Sequence, residues 1–191
     1  TKRIEYLALG SQSQRERRKR EVDEIIEKAE MEVSSFQTLA AYKLFGAALY
    51  WAEGNKSNGC GIANSDPHLI LFMTQWFRRI FGVSSAQMTA HLNIYPQQNE
   101  KELKYFWSNL TGIPLENFGK SFIKPLNKGY KKNTLYYGTC KVRIQKGTDL
   151  RIRIFGWVKG MLRELDPQVE LAQRKWEKLR EVPRPINLIA K

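Results

Sequence analysis

The sequence predicts an α+β domain in which helices flank a sheet with one polar, solvent-facing side, extended by helical segments at both ends. Three observations predict it. Two segments, Gln87 to Tyr95 and Tyr137 to Lys146, alternate apolar and polar residues with period two. Several others repeat apolar residues at helical spacing between recognisable caps. Turn-forming Gly, Pro, Asn and Ser punctuate the boundaries. With 42% hydrophobic residues, including 5 Trp, 8 Tyr and 9 Phe, the chain has enough apolar side chain to bury a core, which excludes a disordered class.

Residues 11–33 read as a polar helix in which Arg20 with Glu24, and Glu24 with Lys28, stand at i,i+4 spacing. Its cluster Arg15, Arg17, Arg18, Lys19 and Arg20 suits either phosphate contact or plain solvation. Residues 36–53 form a second helix, closed by Gly54 and too apolar on all sides for a surface position. NGCGIAN is a short strand, and the turn SDP starts a helix running to Phe81, with Ser65 or Asp66 as N-cap and Pro67 in the first turn. In the segment Gln87 to Tyr95, Met88, Ala90, Leu92 and Ile94 face the core, while Gln87, Thr89, His91, Asn93 and Tyr95 face outward. The next helix runs from Asn99, with Glu102 in a capping-box position, to Thr111 and Gly112. A strand over Phe118 to Leu126 follows, then the lysine-rich turn NKGYKKN, then the strand Tyr137 to Lys146. In that last strand Cys140, Val142 and Ile144 point inward and Thr139, Lys141, Arg143 and Gln145 outward. LRIRIF alternates as a hairpin partner across KGTD would. Over a longer window, however, Leu150, Ile154, Phe155, Val158, Met161, Leu162 and Leu165 fit a helical stripe, so a helix is expected. The chain thus divides into a charged helical extension (1–35), a main domain (36–165) and a helical tail (166–191).

The net charge of +13 is unevenly placed. Residues 1–35 are balanced, with 8 basic and 8 acidic residues, whereas residues 118–163 hold 12 basic residues against the single acid Asp149. A solvated face normally mixes both signs. A one-sign patch of this size points to a polyanion, and nucleic acid fits better than an acidic membrane because the basic residues fall on strand-like segments rather than on one amphipathic helix. The outward sets Gln87, Thr89, His91, Asn93 and Thr139, Lys141, Arg143, Gln145 are of the types that read base edges from strands laid in a major groove. Lys120, Lys124, Lys128, Lys131 and Lys132 add phosphate contacts. No small-molecule substrate is expected. No run of about 18 apolar residues and no secretory pattern occurs, so a soluble, cytoplasmic protein of prokaryotic type, nucleoid-associated when bound, is expected. Cys60 and Cys140, 80 residues apart, suggest neither a disulfide framework nor a zinc site but two buried thiols.

Residues Gly46 to Gly54, GAALYWAEG, resemble the motif of the LAGLIDADG homing-endonuclease family, departing from it at Gly46 and Trp51. LYWAEG, NSDP and the FW of KYFWSNLTGIP also resemble a group of bacterial proteins of this type in which a helix-turn-helix usually precedes the domain; none is recognisable in residues 1–35. The resemblance covers residues 36–165. It implies an antiparallel DNA-binding sheet flanked by helices, paired helices from two copies meeting at the small residues Ala48 and Ala52, and Glu53 as a ligand of a divalent metal such as Mg²⁺ at the scissile phosphates. Function would then be metal-dependent double-strand cleavage of duplex DNA by a homodimer, with Lys146 as a basic residue near the phosphate. A non-catalytic DNA-binding regulator, or an RNA-splicing helper, on the same fold is the alternative.

The residues themselves carry a reading beside the resemblance. Ala41, Ala48 and Ala52 lie within a narrow arc of their helix, where small side chains permit close packing of a second helix or burial against the chain's own sheet. Glu53 ends its helix, where the dipole disfavours an anion. Its charge calls for a partner, either a cation or a Lys or Arg, or for solvation.

Overall fold

The computed structural model describes residues 2–125 and 136–181, with side chains for 12–125 and 136–181. The elements are α1 (Lys2–Ser34), α2 (Leu39–Glu53), β1 (Cys60–Asn64), α3 (Pro67–Phe81), β2 (Met88–Ile94), α4 (Glu100–Thr111), β3 (Phe122–Ile123), β4 (Thr139–Ile144), α5 (Thr148–Leu162) and α6 (Asp166–Lys175). The fold is mixed α+β. The chain divides into two compact units, Thr1–Phe45 and Gly46–Lys191.

The first unit is dominated by α1. Its ion pairs form between Arg17 and Glu21 at 3.4 Å and between Arg18 and Glu21 at 3.3 Å, rather than at the expected Arg20, Glu24 and Lys28. Thr38 then caps the start of α2, its hydroxyl accepting from the Ala41 N–H at 3.1 Å.

In the second unit β4 lies between β1 and β2 and runs antiparallel to both, giving the order β1-β4-β2-β3. Alternation in β2 and β4 is as expected: Met88, Ala90, Leu92 and Ile94, with Cys140, Val142 and Ile144, are buried. Beneath this face α3 packs on β1 and β4, and α5 on β1. The fully buried Trp76 meets Phe77, Phe81 and Trp157 edge to face, and Tyr50 meets Phe77 and Phe155 likewise. α2 can approach this cluster because Gly46 lacks a side chain: a Cβ there would lie 2.1 Å from Trp76 Nε1. The caps follow the local sequence. Asp66 accepts from the His68 N–H at 2.8 Å ahead of Pro67, Asn99 accepts from the N–H groups of Lys101 and Glu102, and Gly82 and Gly112 close their helices at φ 67°.

Three expectations are corrected. α2 does not bury all its sides: Gly46, Ala47 and Tyr50 are buried, but Leu44 and Trp51 are exposed. Of the strand expected over Phe118 to Leu126, only Phe122–Ile123 forms a strand among the described residues, and Leu126 lies outside them. It pairs parallel with β2, so the sheet is not wholly antiparallel. The cause is a change of register at the edge. Ala90 bridges Phe118 and Asn93 pairs with Phe122, so three steps along β2 face four along the edge, a bulge that breaks the ladder between them. The stripe expected on α5 is only partly inward: Ile154 and Val158 are buried, whereas Met161 and Leu165 are exposed.

Cys60 and Cys140 are buried and unbridged. Burial pushes the Cys60 thiol up to about 11 and that of Cys140 up to about 12. Among the described residues no helix is long and apolar enough to cross a membrane.

Candidate nucleic-acid interface

The outward face of the sheet is organised in rows set by strand register. Gly61, Arg143 and Thr89 form one row, and Ala63, Lys141 and His91 the next; Thr139, Asn93 and Phe122 form the third. None of the four strands contains an acidic residue. The positive charge of Lys141 and Arg143 is therefore uncompensated within the sheet, and both side chains are exposed. His91 lies over Gly119, where a Cβ would stand 2.2 Å from its Cε1, so the edge glycine makes room for the imidazole. Thr89 donates from Oγ1 to the Arg143 carbonyl at 3.4 Å.

The C-terminal end of α2 brings Glu53 to the edge of this face. Glu53, Asn58, Gly61, Ala63, Lys141 and Arg143 line an open groove of about 510 Å³. Small residues at 61 and 63 leave it open, since β1 contributes no large side chain to this face. The Glu53 carboxylate accepts one hydrogen bond, from Asn64 Nδ2 at 3.5 Å, and among the described residues it forms no ion pair within 4.0 Å. The charge at the helix end is thus met by an amide dipole and solvent rather than by the salt bridge that one reading of the sequence allowed. Asn64 is itself fixed, its Oδ1 accepting from the Asp66 N–H at 2.9 Å.

The far wall of the groove is a loop whose Asn58 and Gly59 were expected in the strand NGCGIAN, which begins only at Cys60. Asn55 Nδ2 donates to the Asn58 carbonyl at 2.6 Å, and the Ser57 N–H donates to Asn55 Oδ1 at 3.1 Å. Tyr50 anchors the loop from below, donating to the Asn55 carbonyl at 3.0 Å and accepting from the Gly61 N–H at 3.3 Å. Arg151 Nη1 on α5 donates to the Lys56 carbonyl at 3.0 Å. The asparagines and glycines of NKSNGCG were the available signal for a structured turn.

The remaining candidates are dispersed. Lys146 lies in a neighbouring hollow with Thr89, Arg143 and Gln145, adopts φ 53°, and does not line the groove of Glu53. Gln87 sits in a 3₁₀ turn before β2, exposed, its Oε1 held by the N–H and hydroxyl of Ser84 at 2.9 and 3.1 Å. Lys120 is exposed in the bulged edge, and the Lys124 ammonium lies 4.9 Å from the centre of the Tyr95 ring. Lys128, Lys131 and Lys132 lie outside the described residues. Ala41, Ala48 and Ala52 are exposed, so they are not an alanine face buried against the chain's own sheet.

Among the described residues no group of three or more His, Cys, Asp or Glu side chains is arranged to hold a metal ion. Glu53 is the one carboxylate on the groove. A hard divalent cation can take one or two carboxylates and fill its shell with water and phosphate, so Glu53 could supply one donor, while Lys141 and Arg143 on the same groove oppose a cation until phosphate lies between them. No family model, curated protein or solved structure matches the chain.

Proposed function

We propose that the protein is a LAGLIDADG-like, sequence-specific duplex-DNA-binding protein that works as a homodimer and hydrolyses phosphodiester bonds with Mg²⁺ held in part by Glu53. The observation that carries this reading is the acid-free outward face of β2 and β4, bordered at one edge by Glu53 in a groove with Lys141 and Arg143. Strands fit a major groove, and Thr, Asn, His, Lys and Arg at alternate positions offer the donors and acceptors that base edges and phosphates engage. A divalent cation, when bound, neutralises phosphate charge and lowers the pKa of an attacking water. Glu53 would hold it, while Lys141 and Arg143 would bind the DNA backbone or guanine edges beside it. The groove of one chain holds one carboxylate, so cutting both strands calls for a second copy. The exposed small arc of α2, bordered by Leu44 and Trp51, suits that contact.

A regulator that binds DNA without cutting it is the second reading, favoured by the lone carboxylate in the groove and its amide partner Asn64. Both readings share one test. Duplex affinity, measured from 50 to 200 mM salt, should fall steeply, with a log–log slope of several units. The double variant Lys141→Gln, Arg143→Gln should flatten that slope by roughly 1 to 2, since each lost phosphate contact removes about 0.9. Affinity indifferent to salt in the parent would remove the nucleic-acid reading.

A further inference from the structure

The bulge at the sheet edge does more than shorten β3. Had the register set by Ala90 and Phe118 continued, Asn93 would face Ser121, and Phe122 would take the place beside Ile94 that Ile123, itself 55% exposed, now holds. The extra residue instead turns Phe122 onto the polar face, in one row with Asn93 and Thr139, where it remains 59% exposed. Folding gains little from an aromatic ring left in water on a basic surface, and the bulge also interrupts the backbone ladder. Among the described residues no side-chain hydrogen bond engages the Asn93 amide. The row therefore offers a free amide, a threonine and an apolar ring side by side, reaching the edge strand on the other side of the sheet from the groove of Glu53.

Those three groups match the major-groove edge of A·T pairs. An asparagine amide donates to adenine N7 and accepts from the adenine N6 amino group, and the thymine C5-methyl is the one apolar feature of that groove. Guanine, by contrast, is read by Arg or Lys, which stand in the other two rows. We infer that Asn93 and Phe122 form an A·T-reading subsite, Asn93 engaging adenine and Phe122 packing on a thymine methyl, so that the recognised half-site carries A·T at its outer end. This inference rests on the duplex-binding reading above.

The test uses the full chain and a duplex selected from a randomised pool. Each thymine of the selected half-site is replaced in turn by uracil, which removes only the C5-methyl. Binding should weaken about fourfold at one outer position, the worth of one buried methyl-sized group. Phe122→Ala should lose a similar factor on the thymine duplex and nothing further on the uracil duplex, with an unchanged salt slope, and Phe122→Leu should recover part of the discrimination. Phe122 is exposed, so the variants should keep the parent's circular dichroism. If the parent binds a defined sequence but no uracil substitution weakens it, or if uracil costs the Ala variant as much as the parent, this inference is overturned while duplex binding stands. If the parent selects no duplex at all, the underlying reading fails and takes this one with it.

Discussion

Gly46 sits where α2 crosses the indole of Trp76, and replacing it with alanine tests the packing that places Glu53. A Cβ built on Gly46 lies 2.1 Å from Trp76 Nε1 and 2.3 Å from both Cδ1 and Cε2. Reaching ordinary contact demands a shift of more than about 1 Å. The indole has little room for it, being fully buried against Phe77 and Phe81, each at 5.4 Å, and Trp157 at 6.3 Å. Overpacking of this kind costs about 1–3 kcal/mol, partly offset by the 0.5–1 kcal/mol that alanine gains over glycine in a helix. The net loss of roughly 1–2 kcal/mol corresponds to a melting temperature lower by about 2–8 °C. Gly156 in α5 is the internal control, because a Cβ there meets nothing within 4 Å. Gly156→Ala should therefore raise the melting temperature slightly. Calorimetry of the two variants checks the pair, and equal stabilisation by both would refute the close approach of α2 to Trp76.

Two further outcomes are expected. Tyr50→Phe removes the hydroxyl that holds the Asn55 carbonyl and the Gly61 N–H, leaving backbone groups without their partner; it should cost about 1–3 kcal/mol in chemical denaturation, and a loss below about 0.3 kcal/mol would show the anchor to be dispensable. Ala48→Leu leaves the single chain intact because Ala48 is exposed, yet an overpacked helix pair should weaken by about 1–3 kcal/mol, roughly 5- to 150-fold in self-association by sedimentation; a parent that is monomeric with and without DNA refutes the paired-helix proposal.

Much of the second unit is legible because its signals are local. Period-two alternation in β2 and β4 survives folding since one face of each strand is buried and the other is not. Asp66 and Asn99 declare their helices because a cap satisfies groups within the same turn. The choice of helix for Thr148–Leu162 succeeds because a stripe over four turns outweighs a short alternation. What escaped depends on contacts distant in sequence. The bulge between Phe118 and Phe122 follows from two registers against β2, which no local pattern encodes, and so the aromatic turned onto the polar face went unremarked. The exposed side of α2 was read as buried because hydrophobicity alone does not say whether a face meets its own chain or something else. The wall formed by Asn55, Ser57 and Asn58 is held by Tyr50 and Arg151, which lie outside the loop itself. Glu53 was singled out through its motif, but its neighbours Lys141 and Arg143 are more than 80 positions away and meet it only through the pairing of β1 with β4.

The proposed chemistry turns on the Glu53 carboxylate in its basic groove, and Glu53→Gln addresses it with minimal change of shape. Cleavage of a randomised duplex library with Mg²⁺, and binding of one selected duplex, should be measured on parent and variant together. The amide removes the charge that would hold the cation and relieves repulsion of phosphate, so cleavage should disappear while binding stays equal or tightens. A variant that cuts as well as the parent would contradict the assignment of Glu53, and a parent that binds one sequence yet cuts none would replace the nuclease by the regulator.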